Sequence, residues 1–378
     1  MPKVTVLMSV YNGERYLQES IDSILTQTFE NFELLIINDG STDNTRNIIL
    51  SYNDPRIRLV DNKCNLGLTP SLNKGLELAQ GEFIARQDGD DISEPERLAK
   101  QVAFLETHSE VGLIGSWYKE IDSQGRLIQE CSLPCDSTRI RWEILFYCPF
   151  VHSAVMFRKH IIAEQIGFYN EDFSYAQDYD LWWKITRHLK VANLHEYLIK
   201  LRINPLSMTA TYGNIVDDEP LQIKMNNIGH LLGWNEVKTW DDTVDIKAIT
   251  SLWLGELEKL KELNRKQFNT IIEQILRIHH DFCQYYKLEQ EECKQHRQEI
   301  VIQLSNQLLG LANYFLDQNK LTTWRLFIEA CHLNFSILLT KKALVLFIKL
   351  LTNSWLIQEI RRLNQKRLNW NKSEVAMK

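Results

Sequence analysis

The chain has 378 residues, 44% hydrophobic and 24% charged, which is enough to build a core without disulfides or a structural metal and excludes collagen-like, mucin-like and wholly disordered chains. Its 43 basic and 49 acidic side chains leave a net charge of −6, which argues against wrapping nucleic acid phosphates as a main task, so no nucleic acid partner is expected. Seven irregularly spaced cysteines predict reduced thiols, and Cys131 with Cys135 lacks the second pair or histidine cluster of a zinc site.

The N-terminus has no basic leader followed by a long apolar core, so it is read as a first strand of a cytoplasmic protein. That strand, Val4 to Val10, meets the turn formers Asn12 and Gly13 and then a helical pattern carrying Leu17, Ile21, Ile24 and Leu25. A second strand, Phe32 to Ile37, runs into Asn38-Asp39-Gly40-Ser41-Thr42-Asp43, whose Ser and Asp suit a cap for a helix over Thr45 to Leu50. Ile57 to Val60 reads as a third strand, Pro70 to Ala79 as a helix, and Phe83 to Ala85 as a strand leading into Gln87-Asp88-Gly89-Asp90-Asp91. This order predicts an α/β fold whose open, largely parallel sheet binds ligands beyond the carboxyl ends of its strands.

Further on, a helix follows Pro95 through Leu98, Val102 and Leu105, and Val111 to Trp117 returns as strand. Asp122-Ser123-Gln124-Gly125 marks a turn, Phe150 to Phe157 reads as strand, and Tyr179 to Arg187 as a helix after Gln177-Asp178. Pro205, Gly213 and the acidic turn Asp217-Asp218-Glu219-Pro220 suggest a boundary. Residues 1–215 are therefore read as a catalytic domain and 216–378 as a helical region for contact with acceptor, membrane surface or oligomer. Leu254 to Ile278 and Ile300 to Phe315 carry apolar residues at helical spacing.

The apolar runs Phe335 to Thr340 and Ala343 to Ile348 are each too short to span a bilayer. From Lys341 onward nine Lys or Arg face two Glu. Such a tail suits packing on the catalytic domain with a solvated basic face, or peripheral contact with anionic lipid at the inner face of the cell membrane.

Asp88 and Asp90 flank one glycine directly after a strand, where hard oxygen ligands suit Mg2+ or Mn2+ and a cation bridging phosphate oxygens. Arg86 and Lys63 sit near strand ends, within reach of phosphate or on the surface. Asp39 is placed to accept from a nucleobase imide or to close an Asx-turn or helix cap. Asp178 heads a helix and is the candidate general base, while Asp180 suits the helix N-terminus. Trp182 and Trp183 divide between an acceptor wall and the core. No Gly-x-Gly-x-x-Gly follows the first strand and no P-loop occurs, which disfavours dinucleotide oxidoreductases and P-loop ATPases.

Taken together, Ser9-Val10-Tyr11-Asn12-Gly13-Glu14-Arg15-Tyr16-Leu17, Ile37-Asn38-Asp39-Gly40-Ser41-Thr42-Asp43, Asn65-Leu66-Gly67, Ala85-Arg86-Gln87-Asp88-Gly89-Asp90-Asp91 and Gln177-Asp178-Tyr179-Asp180-Leu181-Trp182 resemble the inverting family-2 glycosyltransferases with the GT-A fold. The resemblance covers residues 3–209. It implies a nucleotide-diphospho-sugar transferase-like domain with a mixed, largely parallel sheet, followed by the helical C-terminal region. It also implies a nucleotide-sugar donor, with a UDP-sugar favoured, and transfer with inversion to a sugar or lipid-linked acceptor in polysaccharide, cell-envelope or glycolipid synthesis.

By the same resemblance Tyr11, Asn12, Asp39, Arg86 and Asp88 serve the donor, Asp90 joins the metal–diphosphate site with Mg2+ or Mn2+, and Asp178 deprotonates the acceptor. Asp91, His152, Trp182, Arg202 and Asn204 are acceptor or accessory candidates. Three positions depart from the family pattern: Asn38 replaces a first Asp, Gln177 replaces a Glu before Asp178, and Asn204 replaces the His of Tyr-Arg-x-His-x-x-Ser, with His152 and His195 as substitutes for the lost imidazole. The retained acids favour an enzyme over a catalytically inactive nucleotide-sugar-binding protein.

Overall fold

The apolar, β-branched runs fold into strands covered on both faces, as parallel strands require. In the computed structural model, which describes residues 1–204, 218–233, 245–260, 263 and 265–352, β1 (Val4–Val10) and β2 (Phe32–Asn38) are buried along their whole length. β1 pairs in parallel with β2 and with β4 (Phe83–Asp88), and β3 (Ile57–Asp61) continues the parallel ladder beyond β2. The remaining strands are β5 (Ile92–Ser93), β6 (Val111–Ile121), β7 (Leu127–Cys131), β8 (Met156–Arg158) and β9 (Lys190–Arg202). Among the described residues the order is β3-β2-β1-β4-β8-β6-β9-β5, with β7 against β6. The sheet is mixed: its long ladders, including β6 with β9, are parallel, and short antiparallel pairs place β8 between β4 and β6.

Helices Leu17–Leu25 and Arg97–Thr107 show why the apolar spacing matters. Leu17, Ile21, Ile24, Leu98, Val102 and Leu105 join Val4, Val6, Met8, Leu34 and Ala85 in one buried cluster on a face of the sheet.

One element differs from the sequence expectation, and two others are elements for which none was stated. Phe150 to Phe157 is not one strand: His152–Ala154 forms a 3-10 turn and only Met156–Arg158 pairs, because the His152 and Ser153 side chains bond away from the ladder. β9 forms over Lys190–Arg202, where no element was read, although Val191, Leu194, Tyr197 and Ile199 suit a strand and pair with β6. Helix Ser137–Glu143 is capped by Asp136, whose carboxylate accepts from Arg139 N at 2.8 Å.

The chain divides into two compact units, Met1–Ile228 and Gly229–Lys378. The boundary markers Pro205, Gly213 and Asp217 lie outside the described residues, while Asp218, Glu219 and Pro220 open helix Asp218–Leu231. The second unit is helical: Ile246–Leu254, Leu257–Leu260, Arg265–Tyr285, Gln290–Tyr314, Lys320–Leu333, a 3-10 turn Phe335–Leu339 and Lys341–Thr352. The apolar spacing read from Leu254 onward is broken at once by Gly255, which ends the first of these helices in the left-handed region at φ 73. No helix among the described residues is long and apolar enough to cross a membrane.

Candidate active site

Because β1, β2 and β4 are parallel and adjacent, the loops after them leave the same edge, with Ser9 in register with both Ile37 and Asp88. Asn12, at φ 49, stitches two of these loops together: its backbone N–H donates to Ser41 Oγ at 3.0 Å and its side-chain oxygen accepts from Thr42 N at 2.8 Å. Tyr11 beside it is 48% exposed, leaving an aromatic face for a ligand.

Asp39 is 2% exposed. Its Oδ1 accepts from Asn62 Nδ2 at 2.8 Å and Leu66 N at 2.9 Å, and its Oδ2 from Gly67 N at 2.9 Å. Neither a helix cap nor a local turn describes this role; the carboxylate clamps the segment after β3 against the segment after β2. Gly40 completes the clamp at φ 67, with the Cys64 backbone so close that an added Cβ would lie 2.4 Å from its carbonyl carbon.

The acidic turn after β4 is built on polar side chains that do not face solvent. Gln87, fully buried, donates to Asp91 O at 2.8 Å and Asp88 O at 3.2 Å, and accepts from Ser93 Oγ and Arg97 Nη1. Arg97, also fully buried, reaches Arg86 O at 2.7 Å and Val155 O at 3.2 Å. From the far side Arg202 Nε donates to Asp90 O at 2.9 Å, and its Nη2 pairs with Glu19 Oε2 at 2.6 Å.

Within this frame the three acids differ. Asp88 Oδ1 lies 2.5 Å from Arg86 Nη2, and although burial works against its charge, the Arg86 guanidinium holds its carboxyl below the usual carboxylate range. Asp90 is pushed up by burial and by the charge of Asp88, and its Oδ2 faces Asn204 Nδ2 at 3.5 Å. Asp91 is 1% exposed and pushed further up by burial and by both neighbouring acids, while bonding Ser153 Oγ and Arg202 N.

Asp178 lies on the first turn of helix Gln177–His188, close enough to the acidic turn to feel the charges of Asp88 and Arg86. Burial raises its carboxyl to about 6 against the pull of the Tyr179 N–H at 2.7 Å, and the charge of Asp88 adds to the rise. The same charges, Asp178 and Asp88, act on Tyr169, whose hydroxyl bonds His152 Nε2 at 3.0 Å. Burial and the Arg86 charge lower His152 to about 3, so it stands neutral in this wall. Asp88, Asp178, His152 and Tyr169 thus occupy one electrostatic neighbourhood.

Several candidate residues do a different job from the one expected. Arg86 has no exposed surface and turns its guanidinium onto Asp88 and Gln87 O, so it fixes an acid rather than reaching for phosphate. Arg202, 4% exposed over the Tyr16 ring, and Asp91 are internal latches between β9 and the acidic turn, sealed from an acceptor. Trp182 is fully buried against Phe157, His152 and Tyr169, and Trp183 is 3% exposed, so both are core and neither is an acceptor wall. Lys63 is on the surface and His195 stacks on Trp117.

Sequence reasoning missed Gln87, Arg97, Tyr169 and, above all, Glu219. The Glu219 carboxylate accepts three consecutive backbone N–H groups, from Ser174, Tyr175 and Ala176, at 2.7, 3.0 and 3.1 Å. It thereby fixes the loop that delivers Asp178. Nothing local marks this residue, which reads as part of an acidic linker.

No three His, Cys, Asp or Glu side chains gather as a ready-made metal cage among the described residues. The donor set nevertheless fits a divalent cation that draws its other ligands from a bound phosphate and water: Asp90 is a hard oxygen ligand whose charge is disfavoured by Asp88, a repulsion a cation relieves.

Comparison with known proteins identifies the family. The family model described as glycosyl transferase family 2 matches residues 5–164. An uncharacterized glycosyltransferase of Haemophilus influenzae is 35% identical over 274 residues, covering 70% of this chain and 83% of that protein. The putative glycosyltransferase EpsE of Bacillus subtilis is 39% identical over 210 residues, 53% of this chain and 73% of EpsE. The O-antigen biosynthesis glycosyltransferase WbnJ of Escherichia coli is 32% identical over 206 residues, 53% of this chain and 80% of WbnJ. Among solved structures, S. aureus TarS 1-349 in complex with UDP-GlcNAc shares the fold, with a TM-score of 0.54 and 17% identity over 87% of this chain and 91% of that one. The GT-A architecture and these relatives lead to one conclusion: the chain is a glycosyltransferase and belongs to glycosyl transferase family 2.

Proposed function

We propose that this chain moves a sugar from a nucleotide-diphosphate donor to an acceptor hydroxyl by direct displacement with inversion, Asp178 taking the hydroxyl proton. The observation that carries the reading is the Asp178 carboxyl, raised to about 6 beside the charge of Asp88. A base with that value is ionised at neutral pH yet holds a proton far better than an ordinary carboxylate. The acceptor oxygen bonds to the anomeric carbon as the bond to the diphosphate breaks. The proton passes to Asp178 and no protein nucleophile is used.

The donor lies along the edge formed by the loops after β1, β2 and β4. Tyr11 offers its exposed ring to the base, Asp39 and Gly40 hold the loop around it, and Asp88, fixed by Arg86, faces the ribose or donor sugar. Asp90 would hold Mg2+ or Mn2+, with Asn204 beside it, and the ion when bound supplies positive charge against the departing diphosphate. A UDP-linked sugar is favoured by TarS, which shares the fold and is solved with UDP-GlcNAc. WbnJ, named for O-antigen biosynthesis, supports a place in polysaccharide or cell-envelope assembly, with a sugar or lipid-linked acceptor.

The test is a mass-spectrometric screen of the purified protein against nucleotide sugars and acceptors, with and without Mn2+ or Mg2+. Transfer is expected to disappear in Asp178→Asn while donor binding persists. Donor binding without transfer or hydrolysis under any condition would favour a nucleotide-sugar-binding protein without catalysis.

A further inference from the structure

One face of the second unit breaks the usual rule for helix surfaces. Helix Lys341–Thr352 buries Ala343, Leu346 and Leu350, the spacing of a packed stripe, and sets the Phe347 ring against Phe327 and Trp324, yet leaves Leu344, Val345 and Ile348 exposed. Just before it, Phe335 and Leu339 are 79% and 90% exposed. They do not belong to a frayed end. Asn334 Oδ1 accepts from Ser336 N at 3.2 Å and Ser336 Oγ at 2.7 Å, and Thr340 Oγ1 donates to Ile337 O at 2.7 Å while accepting from Ala343 N at 3.2 Å. A bonded turn therefore presents two large apolar side chains to solvent, continuous in sequence with an apolar outer helix face, a combination that marks a contact surface.

The sequence that forms this face carries charge of one sign. Lys341, Lys342 and Lys349 are exposed on the helix, and no Asp or Glu occurs from Ala330 to Gln358. The last 38 residues hold nine Lys or Arg against two Glu, so the preceding 340 hold 34 basic against 47 acidic side chains. We propose that this face docks on an anionic lipid bilayer, with Phe335 and Leu339 entering the headgroup–acyl boundary and Lys341 and Lys342 meeting lipid phosphates. A second copy of the chain fits less well, since a two-fold contact through the same face would bring the Lys341 and Lys342 charges of both copies together. The inference stands apart from the sugar-transfer reading, because it rests on none of the acids of the first unit.

The experiment is vesicle flotation with the full chain, using phosphatidylcholine vesicles with and without phosphatidylglycerol, alongside light scattering to report the mass in solution. Wild type is expected to float with the anionic vesicles and to bind neutral ones roughly tenfold to a hundredfold more weakly, given two lysines near the surface. Lys341→Glu with Lys342→Glu is expected to weaken binding to anionic vesicles by about tenfold or more. Phe335→Ser with Leu339→Ser is expected to weaken it on either vesicle, with an unchanged melting curve because both side chains are already in water. Unchanged flotation of the Phe335/Leu339 variant overturns the proposal. So does a wild-type dimer that these substitutions convert to monomer without any vesicle binding, which would assign the face to a second copy.

Discussion

Replacing Asp178 by Asn separates what this side chain does for catalysis from what it does to the fold. Its carboxyl rises from 3.8 to about 6, chiefly through burial. At 1.36 kcal/mol for each tenfold change, the fold disfavours the ionised form by roughly 3 kcal/mol. Because the folded value lies above the unfolded one, the native state holds this proton more tightly, and wild-type stability falls as pH rises from about 4 through about 6. The amide is uncharged at every pH and retains an oxygen for the Tyr179 N–H. Asp178→Asn should therefore be more stable than wild type at neutral pH, by up to roughly 3 kcal/mol, with the difference vanishing below about pH 4. Turnover should fall by roughly 10² to 10⁴-fold. Urea denaturation of both proteins at neutral and acid pH, paired with a nucleotide-release assay, measures each quantity. A variant less stable than wild type at neutral pH would refute the argument that burial, rather than a needed interaction, sets this carboxyl.

The other expectations are compact. Initial rates should climb with pH through about 6 as Asp178 ionises, and a flat profile across that range in a buffer series would remove it as the base. Glu219→Ala strips three N–H groups of their acceptor, at about 1–3 kcal/mol, and should lower kcat about tenfold with little change in donor KM; Glu219→Gln should recover part of the loss in the same steady-state assay. Gly40→Ala forces a Cβ toward Cys64 at φ 67 and should cost more than about 1 kcal/mol, weakening nucleoside diphosphate binding measured by calorimetry. Asp90→Asn removes a charge that Asp88 opposes, so the melting temperature should hold or rise while the Mn2+ dependence of donor affinity, titrated by calorimetry, is lost.

The first half of the fold was readable because its information is local. The runs that became β1, β2, β3 and β4 carry β-branched and apolar side chains, and the loops after them carry the turn residues and acids of the candidate site. β9 was passed over although Lys190–Arg202 carries Val191, Tyr197, Leu198 and Ile199; what is not local is its partner, β6, some eighty positions away. The 3-10 turn at His152–Ala154 escaped for a similar reason: Ser153 bonds Asp91, and nothing adjacent to it says so. Charged side chains misled most. Arg86 was assigned to the donor from its place at a strand end and from the resemblance, and Arg202 and Asp91 as acceptor or accessory candidates, yet all three are buried and bonded within the protein. Glu219 is the converse, an apparent linker acid whose three partners lie more than forty positions upstream.

The acidic turn after β4 is gripped mainly by its main-chain oxygens: Arg202 takes that of Asp90, Gln87 those of Asp88 and Asp91, and Arg97 that of Arg86. Its shape is consequently insulated from the identity of the Asp90 side chain. Substitutions there should leave the path of the chain preserved, so that a change in Mn2+ or Mg2+ dependence in such variants would report on the proposed ion site and not on a rearranged turn.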